Sequence, residues 1–171
     1  MNVLIVGGAG YIGSHTNKLV HQKGFRTIVL DNLSRGHKEL VKWGTFILGD
    51  LKNKTLLQDI FRNYSIDAVM HFSAFAYIGE SYNNPAIYYQ NNVANTINLL
   101  DVMLEYDIKK FIFSSSCAIF GEPQYLPIDE NHPKNPINPY GWSKLMVEKI
   151  LDDYDRAYDL KYVSLRYFNA S

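Results

Sequence analysis

The sequence predicts an α/β domain built on a doubly wound parallel sheet, and three observations carry that prediction. The chain opens on an apolar run, Val3-Leu4-Ile5-Val6, that leads straight into Gly7-Gly8-Ala9-Gly10-Tyr11-Ile12-Gly13. A second apolar run, Thr27-Ile28-Val29-Leu30, ends at an acid, Asp31. Beyond it, strand-like and helix-like stretches alternate to the end of the chain. Strands separated by helical stretches imply right-handed crossovers, a parallel sheet and helices on both faces.

Strands are expected near 2–7, 27–30, 45–48, 67–71, 110–114 and 162–167, and helices near 12–23, 54–64, 85–107 and 141–158. Four apolar residues in a row directly before glycines read as a strand buried on both faces. The third strand leads into Gly49-Asp50-Leu51, the fourth into His71-Phe72-Ser73-Ala74, and the fifth into Ser114-Ser115-Ser116-Cys117. The last helix follows a turn rich in proline (Pro133, Pro136, Pro139). Six strands with a glycine signature in the first turn suggest the order 3-2-1-4-5-6, with ligands gathered at the carboxyl ends of the strands.

Composition narrows the function. At 171 residues and 47% hydrophobic content, one sizeable core is possible and two would be unusual. Seventeen basic and seventeen acidic side chains balance, so nothing points to nucleic acid or an anionic membrane. A single cysteine, Cys117, permits no internal disulfide, which fits a reducing, cytoplasmic setting. With the first strand starting at residue 2, no signal peptide is expected, and no apolar run approaches the ~20 residues of a membrane span. No metal is expected.

The glycine run satisfies G-x-G-x-x-G from Gly8. Such glycines allow a tight turn and close backbone approach to a pyrophosphate, and the helix that follows offers N–H groups and a positive dipole end to that anion. Asp31 lies at the spacing expected of a carboxylate on the adenine ribose hydroxyls, where it would repel a 2′-phosphate and favour NAD over NADP. Asp50 either accepts a hydrogen bond from an adenine amine or caps the next helix. His71, directly after an apolar strand, reads as a structural histidine, and Cys117 as packing. Of the three serines, one can bond a substrate hydroxyl or a reacting phenol while two satisfy backbone. Of Asn91 and Asn92, inside a helix, one is expected to face the cofactor and the other solvent.

Tyr140 and Lys144 stand four residues apart, on one face of the last helix. An ammonium beside a phenol favours the phenolate and lowers its pKa from about 10, turning it into a base for a sugar hydroxyl.

These motifs occur in order with Asp31-Asn32-Leu33-Ser34, Gly79-Glu80-Ser81, Pro139-Tyr140-Gly141 and Leu165-Arg166-Tyr167-Phe168-Asn169. Together they resemble the extended short-chain dehydrogenase/reductases, and within them the UDP-glucose 4-epimerases, over the whole chain. The resemblance implies a Rossmann fold and a tightly held NAD that is not consumed. It implies Ser116, Tyr140 and Lys144 as the catalytic set. It carries cofactor contacts over to Gly7, Gly10, Tyr11, Ile12, Gly13, Asp31, Asn32, Asp50, Leu51, Phe72, Ser73, Ala74, Asn92, Tyr140, Lys144 and Tyr167. Substrate contacts carry over to Ser116, Tyr140, Phe168 and Asn169. Ala76 stands where many of these epimerases have a lysine, and Phe120 where a tyrosine is usual. The implied activity is interconversion of UDP-glucose and UDP-galactose. A UDP-pentose or UDP-N-acetylhexosamine epimerase is the alternative, with a non-catalytic NAD-binding module as a second class. Cys117-Ala118 after Ser116 replaces the Asp-Glu pair of 4,6-dehydratases. The family runs to about twice this length, so residues 1–171 read as an NAD-binding domain ending at the junction to a substrate domain. A homodimer through the helices near 85–107 and 141–158 is also implied.

Overall fold

The computed structural model describes residues 1–170. Six strands form one parallel sheet: β1 (Asn2–Val6), β2 (Arg26–Asp31), β3 (Thr45–Leu48), β4 (Ala68–His71), β5 (Lys110–Ser114) and β6 (Lys161–Leu165). Their order is β3-β2-β1-β4-β5-β6, the expected doubly wound arrangement. β1 is central, with Val6 in register with Leu30 of β2 on one side and His71 of β4 on the other. That register brings the ends of β1, β2 and β4 to one crevice.

β1 is apolar throughout because both of its faces are covered. Leu4 and Val6 point into the larger core, packed with Leu57, Ile60, Leu99, Leu100, Val147 and Leu151. Val3 and Ile5 point the opposite way, into a smaller cluster with Val29, Val20 and Phe46. The larger core lies under α2 (Lys54–Asn63), α5 (Asn95–Glu105) and α6 (Pro139–Tyr158), and α1 (Tyr11–Gln22) covers the other face. Asn53 starts α2 by accepting the Leu56 N–H. Asn138 starts α6 by accepting the Gly141 N–H, with Pro139 at the first turn, where its missing N–H costs nothing.

The helix expected over 85–107 is found as one helical run over 85–105, with a widened turn in its middle. α4 (Pro85–Tyr88) passes into a π-helical turn over Tyr89–Ala94 before α5 begins. The short α3 (Ile78–Asn83) precedes it, in a stretch without a helix signal. The wide turn is held by side chains: Asn92 donates to the Phe75 carbonyl (2.9 Å) and to Ser143 Oγ (3.0 Å), and accepts the Phe75 N–H (2.8 Å). These bonds tie the turn to the β4 loop and to α6, outweighing regular helical geometry. Among the described residues, no helix is long and apolar enough to cross a membrane.

A buried ion pair locks β6 to α6. Glu148, 4% exposed, accepts Ser115 Oγ (2.7 Å) and two nitrogens of Arg166, Nε and Nη2, each at 2.9 Å. Arg166 also pairs with Glu130, and Lys134 lies 3.7 Å from Glu148. Removing Arg166 strands a buried carboxylate, so Arg166→Ala is expected to cost roughly 3–5 kcal/mol in urea unfolding. A loss below about 1 kcal/mol, the range of exposed pairs, would refute that.

Candidate active site

The crevice is lined by Gly7, Gly10, Asp31, Asn32, Ser34, Arg35, Gly36, Phe72, Ser73, Ala74, Phe75 and Asn91. Its floor depends on missing side chains. Gly7 has φ +77°, and a Cβ there would stand 2.4 Å from the Ser73 nitrogen. A Cβ on Gly13 would meet the Gly7 carbonyl oxygen at 2.2 Å. The loop therefore lies against both the β4 turn and the first turn of α1. Gly10 begins α1 with no side-chain cap and no acid in the first turn, which leaves its leading N–H groups and dipole open to an anion. Tyr11 and Ile12 sit at that helix start, Tyr11 exposed with its ring against His15.

Asp31 is buried at 9% exposure and works twice. Its carboxylate accepts the Ala9 N–H (2.9 Å) and the Leu33 N–H (2.8 Å), shaping the glycine loop and the following turn. Each oxygen keeps a further lone pair for a hydroxyl in the crevice. Asn32 donates to Asp50 (2.9 Å), and Asp50 also accepts the Lys52 N–H (2.9 Å). Capping of α2 falls to Asn53, so Asp50 is not the helix cap. With Leu51, Asn91 and Asn95 it lines a second recess continuous with the first through Asp31, Asn32, Ser73 and Asn91.

Asn91, not Asn92, lines these recesses. Asn92 is 3% exposed, and its amide is engaged by Phe75, Ser143 and Asn91. It shapes the wall from behind. Thr96 extends the same chain: its hydroxyl donates to the Asn92 carbonyl (2.7 Å) and so accepts from His71 Nε2 (2.9 Å). His71 Nδ1 is buried without a partner. Burial, reinforced by the Lys144 charge, lowers the His71 pKa to about 3, so the ring is a neutral structural group.

The three serines divide their work. Ser114 Oγ bonds the Tyr167 hydroxyl, and Ser115 donates to Glu148. Ser116 Oγ accepts the Ala118 N–H (3.1 Å), leaving its own proton for Tyr140. The two structural serines thus serve a side chain just after β6 and one on α6, not the backbone expected from the sequence.

Tyr140 and Lys144 share one face of α6, with Lys144 Nζ 5.9 Å from the Tyr140 ring centre. Lys144 is 2% exposed, donates to the Ser114 carbonyl (2.7 Å) and lies 4.9 Å from the Phe113 ring centre. The expected depression of the phenol is not found in the chain by itself. Burial raises the Tyr140 pKa, while the Ser116 hydrogen bond pulls it down. Burial also lowers Lys144 to about 7, so its ammonium is not a full charge at neutral pH. Tyr167, raised mainly by burial, stands beside Ser114, whereas Phe168 (62% exposed) and Asn169 are open to solvent.

Sequence reasoning missed Arg35, Phe75 and Asn95. Arg35 had one available signal: it sits four residues after Asp31, in the turn that must border any ribose site.

Fold and site together define a dinucleotide-binding α/β domain carrying a Ser–Tyr–Lys set. The chain belongs to the NAD dependent epimerase/dehydratase family, whose pattern it matches over residues 3–171. It is 50% identical over its full length to the UDP-glucose 4-epimerase of Halalkalibacterium halodurans, of which it covers 51%. The structure of UDP-glucose 4-epimerase from Brucella ovis in complex with NAD is 53% identical, with a TM-score of 0.98 over 99% of this chain and 52% of that one. The UDP-Glc/GlcNAc 4-epimerase of Campylobacter jejuni is 43% identical, with a TM-score of 0.94 over 98% of this chain and 53% of the other. The chain thus spans about half the length of the relatives it matches.

Gly13→Ala is expected to abolish dinucleotide binding, because its Cβ displaces the Gly7 carbonyl; calorimetric titration of the variant checks this. His71 links stability to pH. Its folded pKa of about 3 lies below the ordinary 6.5, so between these values the unfolded chain binds a proton that the folded chain refuses. Stability therefore falls as pH drops through that window. Urea midpoints should fall less steeply in His71→Gln; equal slopes would refute the linkage.

Proposed function

We propose that this chain is the cofactor-binding and catalytic half of a UDP-glucose 4-epimerase. It interconverts UDP-glucose and UDP-galactose on NAD held in the crevice. The observation that carries the reading is the joint presence of a glycine-floored crevice ending in Asp31 and the Ser116–Tyr140 pair beside buried Lys144. Gly7, Gly10 and Gly13 let backbone approach the pyrophosphate, and Asp31 takes the ribose hydroxyls. Asn32, Asp50 and Leu51 border the adenine, Phe72, Ser73 and Ala74 the middle of the dinucleotide, and Lys144 the nicotinamide ribose.

The bound nicotinamide supplies reversible hydride transfer at sugar C4. Tyr140 takes the proton of the 4-hydroxyl, and returns it after the keto sugar has presented its other face. Ser116 hydrogen-bonds the 4-oxygen and relays that proton. Lys144, close to its own midpoint at neutral pH, supplies a positive charge that favours the phenolate when protonated. Phe168 and Asn169 are the first groups toward the sugar nucleotide, and their exposure is consistent with a site completed by elements beyond this half. The similarity to the Campylobacter UDP-Glc/GlcNAc 4-epimerase makes UDP-N-acetylglucosamine the second substrate to try.

Trp142 and Met146, exposed one turn apart on α6, support a homodimer through that helix. A monomer by light scattering at high concentration would refute the pairing.

The test is conversion of UDP-galactose to UDP-glucose with added NAD. Tyr140→Phe is expected to lower kcat by roughly 10²–10⁴-fold, while NAD binding is retained. Turnover unaffected by the substitution would overturn the catalytic assignment. NAD binding without any turnover by the unaltered chain would leave a cofactor module as the function of this half.

A further inference from the structure

Arg35 is a fixed cation at the mouth of the crevice that the assignments above do not use. It arises in the turn after β2 and lines the crevice with Gly7, Gly10 and Asp31. Its head is held from the opposite side, by residues that follow β4. Nη2 donates to both carboxylate oxygens of Glu80, at 2.6 and 2.8 Å. The guanidinium carbon lies 5.2 Å from the ring centre of Phe75 and 5.2 Å from that of Tyr77. Glu80 is pinned in turn by the hydroxyl of the buried Tyr88, at 2.8 Å. The side chain therefore bridges the two walls, its orientation already set.

Two further facts say what the bridge is for. Only Nη2 is engaged, so Nε and Nη1 keep three N–H donors with no partner among the described residues. The charges lining the two joined recesses are Asp31, Asp50 and Arg35; Lys52, 3.9 Å from Asp50, lines the adjoining recess, so among the described residues Arg35 is the one cation that lines the glycine-floored crevice itself. A dinucleotide brings a doubly negative diphosphate into a crevice that already holds two carboxylates. A guanidinium held by two rings and a carboxylate answers that charge with a smaller loss of rotamer freedom than a free arginine would pay. The Arg35–Glu80 pair is 44% and 33% exposed, so as a surface ion pair it contributes little to folding.

We propose that Arg35 grips the diphosphate of the bound dinucleotide, and that Glu80 is the positioning residue that holds Arg35 across the mouth of the crevice. This rests on the cofactor reading given above. The grip suits a reaction that returns its hydride in every cycle and never needs to exchange the cofactor.

The experiment is calorimetric titration of the unaltered chain, Arg35→Met and Glu80→Gln with NAD, NADP, ADP and adenosine at two salt concentrations. Arg35→Met should weaken NAD and ADP by about tenfold, leave adenosine within about twofold, and flatten the salt dependence of ADP binding. Glu80→Gln should weaken ADP by a smaller factor, with adenosine again spared. Both variants should melt with the unaltered chain. Equal losses for ADP and adenosine, or no loss for either, would overturn the grip while leaving the cofactor reading intact. Tighter binding of NADP than of NAD would move Arg35 to a 2′-phosphate and overturn the diphosphate assignment. Failure of the unaltered chain to bind NAD and ADP at all would overturn the cofactor reading and the grip with it.

Discussion

The backbone of Gly7 passes so close to that of Ser73 that no side chain fits between them: a Cβ would stand 2.4 Å from the Ser73 nitrogen. Much of the crevice hangs from that approach. It sets the β1 loop against the β4 loop and keeps the intervening space narrow. The second wall joins through Asp31, whose carboxylate holds the Ala9 N–H, and through His37, whose N–H donates to the Ala9 carbonyl at 2.9 Å. Gly36 is also drawn close, since a Cβ there would lie 2.8 Å from Ala9 backbone. Three loops from three adjacent strands thus meet at backbone contact distance, which the parallel register makes possible by ending the strands side by side.

Helix α6 carries that geometry to the chemistry. One turn presents Tyr140, Ser143 and Lys144, and the next presents Glu148. Ser143 accepts from Asn92, which shapes the cofactor wall, and Glu148 holds Ser115, directly before Ser116. A displacement of the helix would disturb both the crevice and the Ser116–Tyr140 pair. The buried polar groups that meet α6, Asn92, Ser143, Ser115 and Glu148, are bonded in chains and not in isolation, so the network specifies one arrangement and is costly to interrupt. Its electrostatic consequence is less obvious. Burial that fixes Lys144 also weakens its charge, and burial of Tyr140 opposes ionisation. In the free chain, therefore, the phenol is not activated.

Residues whose chemistry acts through near neighbours were legible in the sequence. The β1 run, the glycines after it and Asp31 at the end of β2 announced a parallel sheet, its strand order and the position of its crevice, because each depends on local chain geometry. Tyr140 and Lys144 could be placed on one face because helical spacing is fixed at 3.6 residues per turn. The π-helical turn within the 85–107 helix could not be read, since Asn92 widens the helix only through partners at Phe75 and Ser143, 17 and 51 residues away. The same holds for the three consecutive serines, separated by what the segment after β6 and α6 bring to each.

Architecture and the class of ligand were set by residue type and short-range spacing, and so could be read before any coordinates, whereas the Ser116, Tyr140 and Lys144 set was implied by family resemblance. Folding in three dimensions was needed to show which asparagine faces the crevice, what each serine bonds, in which direction burial shifts Tyr140 and Lys144, and that Arg35 is held across the mouth by Glu80. Those outcomes depend on desolvation and on contacts between residues distant in the chain, and neither is encoded in any local pattern.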